Sequence, residues 1–175
     1  MLKKIFFSLI ILIVIAVGIL FAVNGQDNYD PGKYKASATK GLQIDSKLSF
    51  TLPDQFDKAH TLTDQTKKVI FVFAKATGHT VKEFLKKQDK NYLPSRNTLF
   101  IADVSGMPTV IRNTFALPDF KKSPYSVVLI YDKAIADTYK NEKDTDKITL
   151  ITLKDRTITS IQTFTTEKEL ASALN

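Results

Sequence analysis

The stretch Val69-Ile-Phe-Val-Phe-Ala-Lys-Ala-Thr-Gly-His-Thr-Val-Lys-Glu-Phe-Leu85 decides how this chain folds. Its first six residues are apolar without a polar alternate, which fits a strand covered on both faces, as in a parallel sheet. Thr80 and Glu83 stand at capping-box spacing, where a threonine oxygen and a glutamate side chain satisfy the amide donors that a helix start exposes. Val81, Phe84 and Leu85 follow at helical spacing, and the helix is expected to fade around Gln88, before Asn91 and Pro94. A second doubly apolar run, Thr98-Leu-Phe-Ile-Ala102, comes next. Two such strands joined through one helix make a βαβ unit, so they are expected to pair in parallel.

Further along, Met107-Pro108 suits a first helical turn, and Met107, Val110, Ile111, Thr114 and Phe115 make one apolar face. Pro118 is expected to end that helix by disfavouring helical geometry at Leu117. Ser126-Val-Val-Leu-Ile-Tyr131 reads as a third buried strand, expected in the same sheet as the first two. The charged segment 132–147 has room for a short helix at 134–139. Two β-rich runs, 148–153 and 157–164, flank Lys154-Asp155-Arg156 and predict a hairpin. Thr166 and Glu169 form a second capping box, opening a last helix through Leu174. Upstream, Leu48-Ser-Phe-Thr-Leu52 alternates like a half-buried strand, Pro53-Asp54 and Asp57-Lys58 are turn chemistry, and His60-Thr-Leu62 is a short return strand.

The chain opens differently. Behind Lys3 and Lys4, nineteen uncharged residues run from Ile5 to Val23, roughly 28 Å as a helix at 1.5 Å per residue. A secretory signal has a shorter apolar core, roughly 7–15 residues, and a small-x-small exit. Two readings stand: an uncleaved anchor with its N-terminus in the cytoplasm, as the two lysines favour, or a signal cleaved near Phe21-Ala-Val-Asn-Gly25. Both place the rest of the chain outside the cytoplasm. The polar segment 24–40 reads as a tether, leaving 41–175 as the folded domain and 1–23 as the leader.

With 175 residues there is room for one domain and a leader, and 43% hydrophobic with 25% charged residues is ordinary globular composition. Lys3 and Lys4 account for two of the formal +7, so the remainder carries +5. The arginines are Arg96, Arg112 and Arg156 alone, so the excess is lysine, a solvated point charge more often than an anion reader. No nucleic-acid partner is expected. The chain has no cysteine, which removes disulfides, a lipoprotein anchor and thiol redox chemistry together.

The order of elements over 46–175 resembles the thioredoxin-like superfamily, a mixed α/β sheet flanked by helices. Phe50-x-Leu52-x-Asp54-Gln55-Phe56 is similar to the entry of its peroxiredoxin-like branch. In redox members the first buried strand leads into Cys-x-x-Cys at a helix start, and that window falls here on Thr77-Gly78-His79-Thr80. Ser123-Pro124, before a buried strand, resembles the family's cis-proline site, so a cis bond is expected there. The resemblance thus implies a binding groove of Thr77, Gly78, His79, Thr80, Ser123, Pro124 and Tyr125. Ile101-Ala-Asp-Val-Ser-Gly-Met-Pro108 with Phe115-Ala-Leu-Pro118 resembles cysteine-free bacterial envelope proteins of unassigned activity. That likeness implies an inner-membrane protein with a periplasmic domain, or a soluble periplasmic one if the leader is removed.

A threonine hydroxyl neither ionises near neutral pH nor forms a disulfide, so oxidoreductase and peroxidase activities are not expected. His79 could serve as a base beside Thr77 and Thr80; the plainer reading is an exposed first-turn residue, and His60 reads as hairpin surface. Two distant histidines do not make a zinc site, and Asp137, Glu142, Asp144, Asp146 and Asp155 lack the glycine of a calcium loop. No metal, cofactor or catalytic residue is assigned. The expected function is a redox-inactive module engaging an envelope protein or peptide, with a His79-based enzyme and a lysine-based anionic-surface binder as alternatives.

Overall fold

A computed structural model describes residues 2–27 and 29–174. In chain order it contains α1 (Leu2–Asn24), β1 (Lys35–Ala38), β2 (Leu48–Pro53), β3 (Ala59–Thr61), β4 (Lys68–Val72), α2 (Lys75–Lys86), α3 (Tyr92–Ser95) and β5 (Thr98–Asp103). A helix follows in three parts: α4 (Thr109–Ile111), a π-wound turn (Arg112–Ala116) and α5 (Leu117–Phe120). Then come β6 (Val128–Ile130), α6 (Lys133–Tyr139), a 3-10 turn (Glu142–Asp144), β7 (Ile148–Lys154), β8 (Thr157–Phe164) and α7 (Glu167–Leu174).

The three apolar runs lie in one five-stranded sheet of order β6-β5-β4-β7-β8. β4 pairs in parallel with β5, and β5 with β6, while β7 and β8 run antiparallel. The double apolarity of β4 has a direct cause. Ile70 and Val72 belong to a core with Val81, Phe84 and Leu85 of α2 and with Leu170 and Leu174 of α7. Val69 and Phe71 belong to the opposite core, with Leu48, Phe50 and Leu52 of β2 and with Tyr139 of α6. Strand residues alternate in direction, so a strand with a layer on each side has no position left for a polar side chain. β2 lies across the sheet: Lys47 bridges to Thr157 at the β8 edge and Asp54 to Val128 at the β6 edge. The result is a mixed sheet flanked by helices, preceded by an apolar helix long enough to cross a membrane or serve as a signal.

Several local expectations hold. Asp155 and Arg156 turn the β7–β8 hairpin at positive φ, 51° and 65°, the geometry of a tight two-residue loop. The Thr166 hydroxyl accepts from the Glu169 amide, and Glu169 Oε2 accepts from the Thr166 amide, a reciprocal capping box.

Others are corrected. The first capping box does not form: α2 begins at Lys75, directly after the extended Ala74, and Thr80 lies inside it. The sheet delivers the chain to the helix axis as β4 ends, so the Gly78 amide already reaches the Ala74 carbonyl at 3.0 Å. Pro118 does not end its helix. The Leu117 amide reaches back five residues to the Arg112 carbonyl, and the donor that proline lacks falls at this change of register. The chain also winds into α3 around Pro94, where no helix was expected. The segment 24–40 is not a free tether, because β1 pairs with β2 and Tyr34 is buried beside it. The Ser123–Pro124 bond is trans, as no peptide is cis among the described residues.

Candidate functional site

At the start of α2 the residues expected to carry chemistry are already engaged. The buried Thr77 donates its hydroxyl to the Ala74 carbonyl at 2.9 Å, and Thr80 donates to the Ala76 carbonyl at 3.2 Å. Both bonds run backwards along the helix, the habit of threonine once it is placed inside one. His79 projects outward, and its Nδ1 lies 4.0 Å from Glu83 Oε1, beyond hydrogen-bond reach. Glu83 is held by Lys86 at 2.5 Å, which keeps its carboxyl below the ordinary value. A base, a hydroxyl and an orienting group therefore do not converge here.

Nor are the two halves of the expected groove joined. α2 leaves the C-terminal end of β4, whereas Ser123-Pro124-Tyr125 enters β6 at its N-terminal end, and these strands run in parallel. Pro124 and Tyr125 line a separate pocket of about 440 Å³ with His60, Leu93 and Thr98. Tyr125 is fixed by a residue quoted above only within the stretch similar to the peroxiredoxin-like entry. Buried Gln55 donates to its carbonyl at 2.9 Å and accepts from the Val127 amide at 2.8 Å. Asp54, equally buried, accepts from the Phe56 and Lys58 amides and faces His60 at 2.9 Å. Sequence reading missed this clip, because a side chain that caps its own turn and one that fastens a strand end look alike until β6 is in place.

What the helix start does border is an apolar groove of about 510 Å³ between α2 and the helix 109–120. Val72 and Ala102 form its floor, and Met107, Ile111, Phe115 and Phe120 its far wall. Ile111 and Phe115 are 47% and 61% exposed, so the apolar face read from the sequence is split: Met107 packs against the core, while these two side chains open to solvent. Gly78 and His79 line the near wall, and Lys82 closes one end through an ion pair with Asp119. That pair holds the Asp119 carboxyl below its usual range.

The other side of the same helix is occupied by the segment following α1. Asn113 Nδ2 donates to the carbonyls of Asn24 and Gln26, both at 2.9 Å. Arg112, 3% exposed, faces Asp27 across 2.8 Å and lies 4.8 Å from the centre of the Tyr131 ring. Tyr29 stacks between Tyr131 and Tyr34, with ring centres 4.9 and 5.6 Å away. Burial pushes the Tyr131 hydroxyl up to about 12 despite the opposing charge of Arg112, so it stays protonated. Among the described residues no group of three metal-ligating side chains occurs.

No protein-family model matches the chain, and no curated protein does. Its fold is similar to that of a provisionally named protein disulfide isomerase from Bacteroides thetaiotaomicron, with a TM-score of 0.52, 19% identity, and 80% of this chain and 89% of that one covered. A hypothetical protein from Sinorhizobium meliloti gives a TM-score of 0.51 at 14% identity, covering 80% and 86%. An uncharacterized thioredoxin-like protein from Porphyromonas gingivalis gives 0.48 at 15%, covering 79% and 91%. At these identities the likeness to the first two speaks to the fold alone, the thioredoxin-like mixed sheet flanked by helices, and a chain without cysteine has no thiol to ionise or oxidise.

Proposed function

We propose that this chain is a redox-inactive thioredoxin-like binding module of the bacterial envelope, held at the inner membrane by α1. It engages an extended segment of an envelope protein or peptide in the groove between α2 and the helix 109–120. The observation that carries this reading is the pair Ile111 and Phe115: two large apolar side chains left open on the wall of a groove with a mixed-charge rim. Apolar walls with a few placed polar groups suit a bound side chain better than bulk water does. A peptide laid there would cover Phe115 and find Lys82 and Asp119 at one end for a charged residue. Against catalysis stand the committed hydroxyls of Thr77 and Thr80 and the unsupported ring of His79.

A photo-crosslinking residue at Met107 in intact cells tests this. It should capture a discrete partner, and Phe115→Glu should abolish that capture while leaving the protein's amount and melting temperature unchanged. The same adduct from a crosslinker at Ile44, on the far edge of the sheet, or its persistence with Phe115→Glu, would overturn the assignment of the groove.

A further inference from the structure

The four large apolar residues exposed outside α1 are Ile44, Phe56, Ile111 and Phe115 among the described residues. Two of them belong to the groove. Phe56, 60% exposed, belongs elsewhere, and its setting is rigid. Its amide is held by Asp54 Oδ1 at 2.8 Å, the following Asp57 sits at a φ of 61° with its amide on the Asp54 carbonyl, and Gln55 is fastened to β6. A turn that is hydrogen-bonded on both sides of an exposed phenylalanine presents that ring rather than merely failing to bury it. Facing it across a crevice of about 430 Å³ are Val23 and Asn24, the last turn of α1, with Leu117, Pro118 and Lys121 completing the walls.

The clasp around α1 makes this placement consequential. Asn113 grips the carbonyls on both sides of Gly25, Arg112 holds Asp27, and Tyr29 is stacked between two rings. The domain is therefore fastened within one side chain of the end of α1, not hung from it on a slack linker. If α1 spans, Asn24 ends the hydrocarbon layer, and whatever faces Val23 lies at headgroup depth. Lys58 and Lys121, both exposed, stand on the Phe56 turn and on the opposite wall. The acids Asp57, next to Phe56, and Asp27, on the crevice lining, are both tied inward, to Tyr34 and Arg112, which leaves the exposed ring with Lys58 and Lys121 as the groups turned outward, a composition suited to the lipid interface.

We infer that the Phe56 turn and the crevice beside it form a second membrane contact, docking the domain onto the headgroup layer of the bilayer that α1 crosses. The occupant is the lipid interface itself, with the Phe56 ring among the upper acyl carbons and Lys58 and Lys121 at the phosphates. The groove, on the other side of the helix 109–120, is then held at a fixed height beside the membrane. This inference rests on α1 remaining attached, as in the anchored form proposed above, and not on what fills the groove.

The chain has no tryptophan, so a single one is a clean reporter. The uncleaved chain would be reconstituted into phosphatidylethanolamine–phosphatidylglycerol vesicles containing brominated acyl chains, as the variants Phe56→Trp, Ile44→Trp and Val23→Trp. Val23→Trp marks the span, and Ile44→Trp marks the β8 edge, where Asp45 bonds Ile158, away from α1. Phe56→Trp should emit at shorter wavelength than Ile44→Trp and be quenched nearly as strongly as Val23→Trp. A water-like, unquenched Phe56→Trp beside a quenched Val23→Trp would overturn the inference. Equal quenching of Phe56→Trp and Ile44→Trp would also overturn it, as adsorption without orientation. Neither result bears on capture by the groove, so the two readings fail separately.

Discussion

His60 Nε2 lies 2.9 Å from Asp54 Oδ2, tying the return strand β3 to a carboxylate that is 2% exposed. Burial works to raise the Asp54 pKa, but the bond from His60 and those from the Phe56 and Lys58 amides together outweigh it and hold the group below its ordinary 3.8. A carboxyl depressed in the folded state contributes stability that is complete above the unfolded value and is lost as pH falls through the folded one. The melting temperature of the wild-type chain should therefore fall more steeply than that of Asp54→Asn between about pH 5 and about pH 2. Thermal melts of both across that range check it, and parallel pH curves would refute the account.

The pair Thr77→Cys and Thr80→Cys tests what the helix start has become. Three residues apart inside a formed helix, Cβ atoms sit about 5–6 Å from one another, beyond the roughly 3.5–4.5 Å that a disulfide wants. Here α2 is already wound from Lys75, so closing the bond must distort its first turn. The oxidised variant should melt below the reduced one, and the bond should be readily reduced, with a potential above that of structural disulfides. Equal stability of the two forms would mean that the first turn adapts without cost.

How far the sequence could be read depends on how local the deciding interaction is. The run from Val69, whose strand ends at Val72 rather than Ala74, the Asp155-Arg156 turn and the Thr166–Glu169 box are each settled by neighbours in the chain, and each was legible. The start of α2 was misread because Thr80 and Glu83 have the right spacing, while the direction in which β4 ends is what starts the helix. Met107, Ile111 and Phe115 are periodic whether their face is covered or open, so periodicity could not separate core from groove. The Pro124 expectation joined two segments that parallel pairing places at opposite ends of the sheet. Most non-local of all is the clasp on Asp27, which needs Arg112 and Tyr131 assembled from distant parts of the chain.

Tyr139 is fully buried and its hydroxyl donates toward the carbonyls of Ser37, at 3.3 Å, and Ser49, at 3.1 Å. It is the polar link from α6 to the β1–β2 pair, within an otherwise apolar core that includes Phe50 and Phe71. Tyr139→Phe keeps the ring packing and removes the donor, so unfolding should cost about 0.5–1.5 kcal/mol less. The m-value should stay unchanged, because the same surface is exposed on unfolding. Denaturant titration of the two proteins reads both quantities.

The clasp makes the sharpest energetic prediction. Arg112 carries a guanidinium that is 4% exposed, and its partners are the Tyr131 ring and the half-exposed Asp27. Removing the acid alone leaves a buried charge without its counter-charge, which costs more than an exposed ion pair contributes. Asp27→Ala should thus lower stability by roughly 1–3 kcal/mol and speed protease cleavage between Gly25 and Lys33. Asp30 offers the control: its carboxylate only caps a local turn, at 2.9 Å from the Gly32 amide, so Asp30→Ala should change stability by about 0.5 kcal/mol or less. Arg112→Met added to Asp27→Ala should recover much of the loss, since no charge is then left buried and the methionine can pack on Tyr131. A double-mutant cycle on the full chain in detergent measures the coupling directly. If Asp27→Ala and Asp30→Ala prove equally mild, and cleavage is equally slow in both, Asp27 is not what fastens the domain to the end of α1.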